Sequence, residues 1–225
     1  MDFNIDNLWL IKIGGFDVLI TRTIFNTWII MLFIIAFAVF VRIKLRSFKE
    51  IPQGFQNAIE AVVEIFDNFM KNTGGEKLAP LGGWFFMVFV FCFASIVAGV
   101  LGLRPPTADW ATTFALSLAT FILIQIMGIK HRKGAYIKTF FEPHPVFLPL
   151  NLVGELARPL SLSFRFFGNV LSGMIIMTLF YTLTPVFVRF VIPAALHAYF
   201  DIFTGALQTY IFCVLSVIFI RGAVE

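Results

Sequence analysis

Charge is scarce in this chain. Only 13% of its 225 residues are Asp, Glu, Lys or Arg, 59% are hydrophobic, and the mean hydropathy is +0.90, far too apolar for a soluble domain. That scarcity excludes a water-exposed surface over most of the chain. Cysteine is almost missing as well. Cys92 and Cys213 each lie inside an apolar run with no second cysteine spaced to share a metal, so each reads as a small buried hydrophobe and neither reports a redox compartment. There is no internal repeat and no stretch with the composition of a soluble domain. The opening MDFNIDNLWLIKIGG lacks the basic stretch and small-residue cleavage site of a signal peptide, so it is expected to remain in the mature chain. The formal net charge of +4 does not point to nucleic acid, because the bases fall in short clusters between apolar runs, where they act as topology signals.

The apolar runs set the architecture. Thr23 to Val41 is charge-free and about long enough to cross the hydrocarbon core. The cluster Arg42, Lys44, Arg46 and Lys49 follows and assigns that end to the cytoplasm, leaving the N-terminus outside. Over residues 54–72, Phe55, Ile59, Val62, Phe66, Phe69 and Met70 recur at helical spacing opposite Gln56, Glu60, Glu64, Asp67 and Lys71. This predicts an amphipathic helix along the inner membrane surface, or alternatively one packed on the protein's own core.

A second span of about 80–103 ends at GLRPPTADW, where Pro105 and Pro106 stop the helix. A third, 110–129, ends in the basic KHRK of Lys130 to Lys133, which places that loop inside. FFEPHPVFLP is too rich in proline to be helical, and His144, with a proline on each side, reads as a loop residue and not a metal ligand. Runs 151–183 and 193–220 exceed the length of a perpendicular span and form a long, tilted hairpin through TPVFVRFVIP. The expected fold is therefore an all-α membrane protein, one integral membrane domain over residues 1–225, with five transmembrane helices plus one amphipathic surface helix and a cytoplasmic C-terminus.

A charge inside a membrane span is expensive, so intramembrane ionisable residues mark function by default. The last two spans hold Glu155, Arg158 and Arg165 on one helix, and His197 and Asp201 on the other. Arg158 lies near the inner end, where its stem reaches the headgroups, and reads as an anchor. Arg165 is deeper. At 3.6 residues per turn Ser161, Arg165, Asn169 and Ser172 share one face, and His197, Asp201, Thr204 and Gln208 make a similar stripe on the partner. The two stripes either line an ion path or hydrogen-bond to each other and glue the hairpin.

A turn near residues 185–188 pairs residues whose numbers sum to about 373, so Arg165 is expected to face Gln208. Asp201 then stands roughly 10 Å further out and Glu155 roughly 15 Å further in. Carboxylates accept and pass on cations, whereas an arginine keeps its proton and repels them. The order acid, arginine, acid predicts two ion pathways separated by a fixed positive barrier.

ARPLSLSFRFFGNVLSG and DIFTGALQTYIFCVLS resemble the two signature segments of the a subunit of the F-type ATP synthase, and PPTADWATTFALSLATF resembles a third recurrent region. The resemblance implies an ion-translocating stator subunit that is not an enzyme on its own and carries no cofactor. Its implied partners are the rotating c-ring, the peripheral-stalk b subunit, membrane lipid and the translocated H+ or Na+, and its implied location is the cell inner membrane.

Arg165 matches the family's essential arginine, which faces the c-ring carboxylates, and Asn169 and Gln208 match polar residues beside it. No Walker A motif is present, so ATP belongs to partner subunits. Two positions depart from the bacterial pattern. Met174 stands where many members carry a glutamate, and Asp201 stands where histidine or glutamate is common, which gives Asp201 the outer-channel role with His197 as an assistant or a hydrogen-bonded interfacial residue. A self-contained secondary transporter and a non-transporting membrane scaffold remain alternative readings.

Overall fold

The computed structural model describes residues 7–13, 16–45, 48, 53–185 and 192–225. Arg46 and Lys49 of the first basic cluster, the first six residues and most of the turn TPVFVRFVIP lie outside the described residues. Five helical segments are long and apolar enough to cross a membrane. They contain α1 (Arg22–Lys44), α3 (Gly82–Val100), α4 (Trp110–Arg132), α6 (Leu148–Leu183), and a last span in which α7 (Ile192–His197) passes through a π-helical turn (Ala198–Phe203) into α8 (Thr204–Val224). The amphipathic segment is α2 (Phe55–Gly74), and a short α5 (Gly134–Thr139) follows α4. The membrane part is all-α as expected.

The departure is a two-stranded antiparallel ribbon ahead of α1, β1 (Asn7–Ile13) and β2 (Phe16–Thr21), with Ile13 paired to Phe16. Its signal was present in the sequence, since two short apolar-rich runs flank Gly14-Gly15, a common hairpin composition.

The buried share differs from span to span, smallest on α1 and α6 and largest on the last one, and large apolar side chains such as Leu32 and Phe33 on α1 are exposed, as lipid permits. On α1 the buried residues are Thr23, Asn26, Ile30 and Ile34, spaced one turn apart, and the two isoleucines pack with Ala98 and its neighbours Val90, Phe91 and Ala94 on α3. The centre of the bundle is α4, which packs against both α6 and α8. Its buried Thr113, Ser117 and Thr120 are small enough to let helices approach closely, and each hydroxyl donates to a carbonyl three or four residues back, so none of these three is stranded.

The reading of α2 as packed on the protein's own core holds for its second half. Met70 and Gly74 are buried, with Phe66 and Phe69 packed on the core, while Phe55, Val62, Val63 and Ile65 nearer the start are exposed. Arg221 near the end of α8 donates to the Thr73 carbonyl at 3.2 Å, tying that docked half to the last span. The proline-rich stretch before α6 is non-helical up to His144, then forms a 3-10 turn at Pro145–Phe147, and α6 begins at Leu148 with Pro149 in its first turn, where the missing N–H costs nothing.

Candidate functional site

Arg165 stands at the midpoint of α6, and its side chain is exposed on the outside of the bundle. Among the described residues it has no hydrogen-bond or ion-pair partner. Ser161 and Ser172 on the same face are also exposed, and the Ser172 hydroxyl donates back to the Asn169 carbonyl at 3.0 Å. The stripe therefore does not glue the hairpin at Arg165.

The side chain that does cross the seam is Asn169, whose Nδ2 donates to Gln208 Oε1 at 2.7 Å. The turn arithmetic pairs Gln208 with Arg165, but the observed partner lies one helical turn nearer the connecting turn. The π-helical segment supplies part of the reason. It spends an extra residue without advancing a full helical step, so Gln208 lies nearer the connecting turn than a regular α-helix would bring it. Just past that segment the Thr204 hydroxyl donates to the Tyr199 carbonyl at 3.0 Å, five residues back, and within it Asp201 is half-buried.

A cavity of about 710 Å³ opens between α1, α3, α6 and the last span. Its lining runs from Arg22 at the start of α1 and Arg104 after α3, past Tyr181, His197, Asp201 and Thr204, to Asn169 and Gln208. Polar groups thus mark a path that ends one turn from Arg165. His197 Nδ1 is hydrogen-bonded to Asp201 Oδ2, and its Nε2 lies 3.2 Å from the Tyr181 hydroxyl. Met174 lines the same cavity, so the position that lacks the common glutamate shares its space with Asp201. The mouth is braced by Asn26, which donates to the Arg104 carbonyl at 2.9 Å, and by the Arg104–Asp109 ion pair at 3.7 Å.

The segments that build the arginine face and the polar seam are those whose residues resemble a known family. The family model described as "ATP synthase A chain" matches residues 24–221. The chain belongs to the ATP synthase a-subunit family. ATP synthase subunit a of Moorella thermoacetica is 33% identical over 211 residues, 92% of each chain, and ATP synthase subunit a 1 of Chlorobium luteolum is 32% identical, covering 89% of this chain and 88% of that one. A sodium-ion-specific ATP synthase subunit a from Propionigenium modestum is 31% identical over 94% of this chain and 76% of its own. An a subunit is a component of the ATP synthase complex and a multi-pass membrane protein, which sets aside the self-contained transporter.

At the far end of α6 from the cavity a second polar group gathers in this a subunit. Glu155 is partly buried and ion-paired to Arg158 at 2.6 Å, and the Arg158 guanidinium lies 5.4 Å from the Phe219 ring centroid. Arg158 is therefore more than the headgroup anchor expected of it. Sequence reasoning missed Tyr181, Gln125 and Tyr136 because each is a single polar residue in an apolar or loop segment and gains meaning only from its neighbours across helices. The phenol of Tyr136 is held above its ordinary pKa, first by burial and then by the Glu155 carboxylate.

Proposed function

We propose that this chain is the ion-translocating stator subunit of a rotary F-type ATP synthase, giving H+ or Na+ separate half-channels to and from the c-ring on either side of Arg165. The observation that carries the reading is the Arg165 guanidinium, exposed halfway along a membrane-spanning helix without a partner among the described residues. A charge at that depth costs from about 3 to more than 10 kcal/mol unless something answers it, and a carboxylate presented by a neighbouring rotor answers it.

Ions enter the outer half-channel through the cavity, pass His197, Asp201 and Thr204, and reach the Asn169–Gln208 pair. Asp201 supplies the carboxylate that Met174 does not. An incoming ion neutralises a c-ring carboxylate, which then turns through lipid. The ion leaves by the inner half-channel, past Ser161 and Glu155. Arg165 favours the ionised carboxylate at the interface and blocks a direct cation leak between the two routes. Ser172, on the arginine face, flanks the outer route. The sodium-ion-specific relative supports keeping Na+ beside H+ as the carried ion.

The exposed apolar face of α1 and the first half of α2 offer surface to lipid and to the peripheral-stalk b subunit. The basic end of α4 supports a cytoplasmic placement in the cell inner membrane, with the N-terminus outside.

The test is Arg165→Ala in the whole reconstituted complex. Ion-driven ATP synthesis is expected to vanish and passive ion leak to rise, with the subunit still copurifying because α6 keeps its packing faces. Arg165→Lys should rescue poorly, since an ammonium loses its charge on burial where a guanidinium does not. Normal synthesis by an assembled Arg165→Ala complex would overturn the reading.

A further inference from the structure

Tyr136 is only 6% exposed, and its ring occupies the space that Gly128 on α4 leaves open, where an added Cβ would lie 2.6 Å from Tyr136 Cε2. Seated there, its hydroxyl donates to Gln125 Oε1 at 3.0 Å. An amide that accepts on its oxygen turns its nitrogen to the other side. Gln125 Nε2 accordingly donates to Glu155 Oε2, in a longer bond of 3.5 Å, while Arg158 holds the other Glu155 oxygen. The chain runs through α5, α4 and α6 and ends on a carboxylate held from both sides. Packing alone needs none of this. Phe140, one turn on, makes an edge contact with the Tyr136 ring and packs on the same core cluster without a hydroxyl.

We infer that Tyr136 is a positioning residue for the inner ion route, fixing the place of the Glu155 carboxylate through Gln125. The inference rests on the assignment of Glu155 to that route. Its physical basis is orientation. With the phenol present, the Gln125 amide has one satisfied arrangement, nitrogen toward Glu155; without it, oxygen and nitrogen can exchange places, and an oxygen facing the carboxylate repels it. The raised proton affinity of the phenol keeps it a donor at any working pH. The other charges that act on this phenol, Arg158 and Arg132, are cationic and do not compete as acceptors.

A double-mutant cycle in the reconstituted complex tests it. Tyr136→Phe keeps the ring in its seat and should lower ion-driven synthesis about threefold to tenfold, the scale of one lost hydrogen bond. In a Glu155→Gln background the same change should have no further effect. Gly128→Ala, which unseats the ring and leaves the hydroxyl, should reproduce the loss. Wild-type rates in Tyr136→Phe overturn the inference, and so does an equal loss in both backgrounds, which would mean packing only. A Glu155→Gln complex that runs at the wild-type rate instead overturns the assignment of Glu155, and the inference falls with it.

Discussion

Asn169 and Gln208 hold each other across the α6–α8 seam at 2.7 Å, one turn from the exposed Arg165 and at the inner end of the cavity. Gln208 is 3% exposed, so removing Asn169 strands a buried amide, which costs about 1–3 kcal/mol, whereas removing Gln208 leaves the partly exposed Asn169 unpaired at a smaller cost. Gln208→Leu and Asn169→Leu should each slow ion-driven synthesis several-fold, and the double variant should be no slower than the worse single one. Ion-driven ATP synthesis by the three reconstituted complexes checks this, and additive losses would separate the two residues functionally.

Asp201 sits in the cavity with one carboxylate oxygen engaged by His197. Asp201→Asn preserves volume and removes the charge. It should slow passage from the outer side by about an order of magnitude without loss of assembly, because the cavity loses its only carboxylate among the described lining residues. Reconstituted synthesis at varied outer ion concentration reads the effect, and an unchanged dependence would reduce Asp201 to a structural residue.

Gly205 is the second residue of α8, just past the π-helical turn, and a Cβ there would lie 2.9 Å from both Cδ1 and Cγ1 of Ile96 on α3. Gly205→Ala therefore overpacks the α3–α8 contact, at a cost of about 1–3 kcal/mol. Less of the subunit should copurify with the complex, and its melting point should drop. Pairing the change with Ile96→Ala should restore both; failure to restore would locate the strain elsewhere.

Topology is testable with the native cysteines left in place, since Cys92 and Cys213 are 0% and 1% exposed and will not compete for reagent. Glu225 is exposed at the end of α8. An impermeant maleimide should label Glu225→Cys in inverted vesicles and leave it untouched in sealed cells. Labelling of intact cells would reverse the proposed orientation.

The amino-acid sequence alone carries the five spans, because a membrane helix satisfies its own backbone hydrogen bonds and is recognisable from one stretch of residues. It also determined that Arg165 has a polar face, a matter of spacing within one helix, and it carried the family signature. The amphipathic α2 was legible for the same reason, but which half docks was not, since docking depends on where α8 ends and Arg221 reaches Thr73. Likewise it took the packed helices to show that Gln208 pairs with Asn169 and not Arg165, that Met174 and Asp201 share a cavity, and that Tyr136, Gln125 and Glu155 form one chain. Those are relations between helices, fixed by crossing, register and a π-helical turn, and a one-turn change of register exchanges every partner while leaving the hydropathy of each span unaltered.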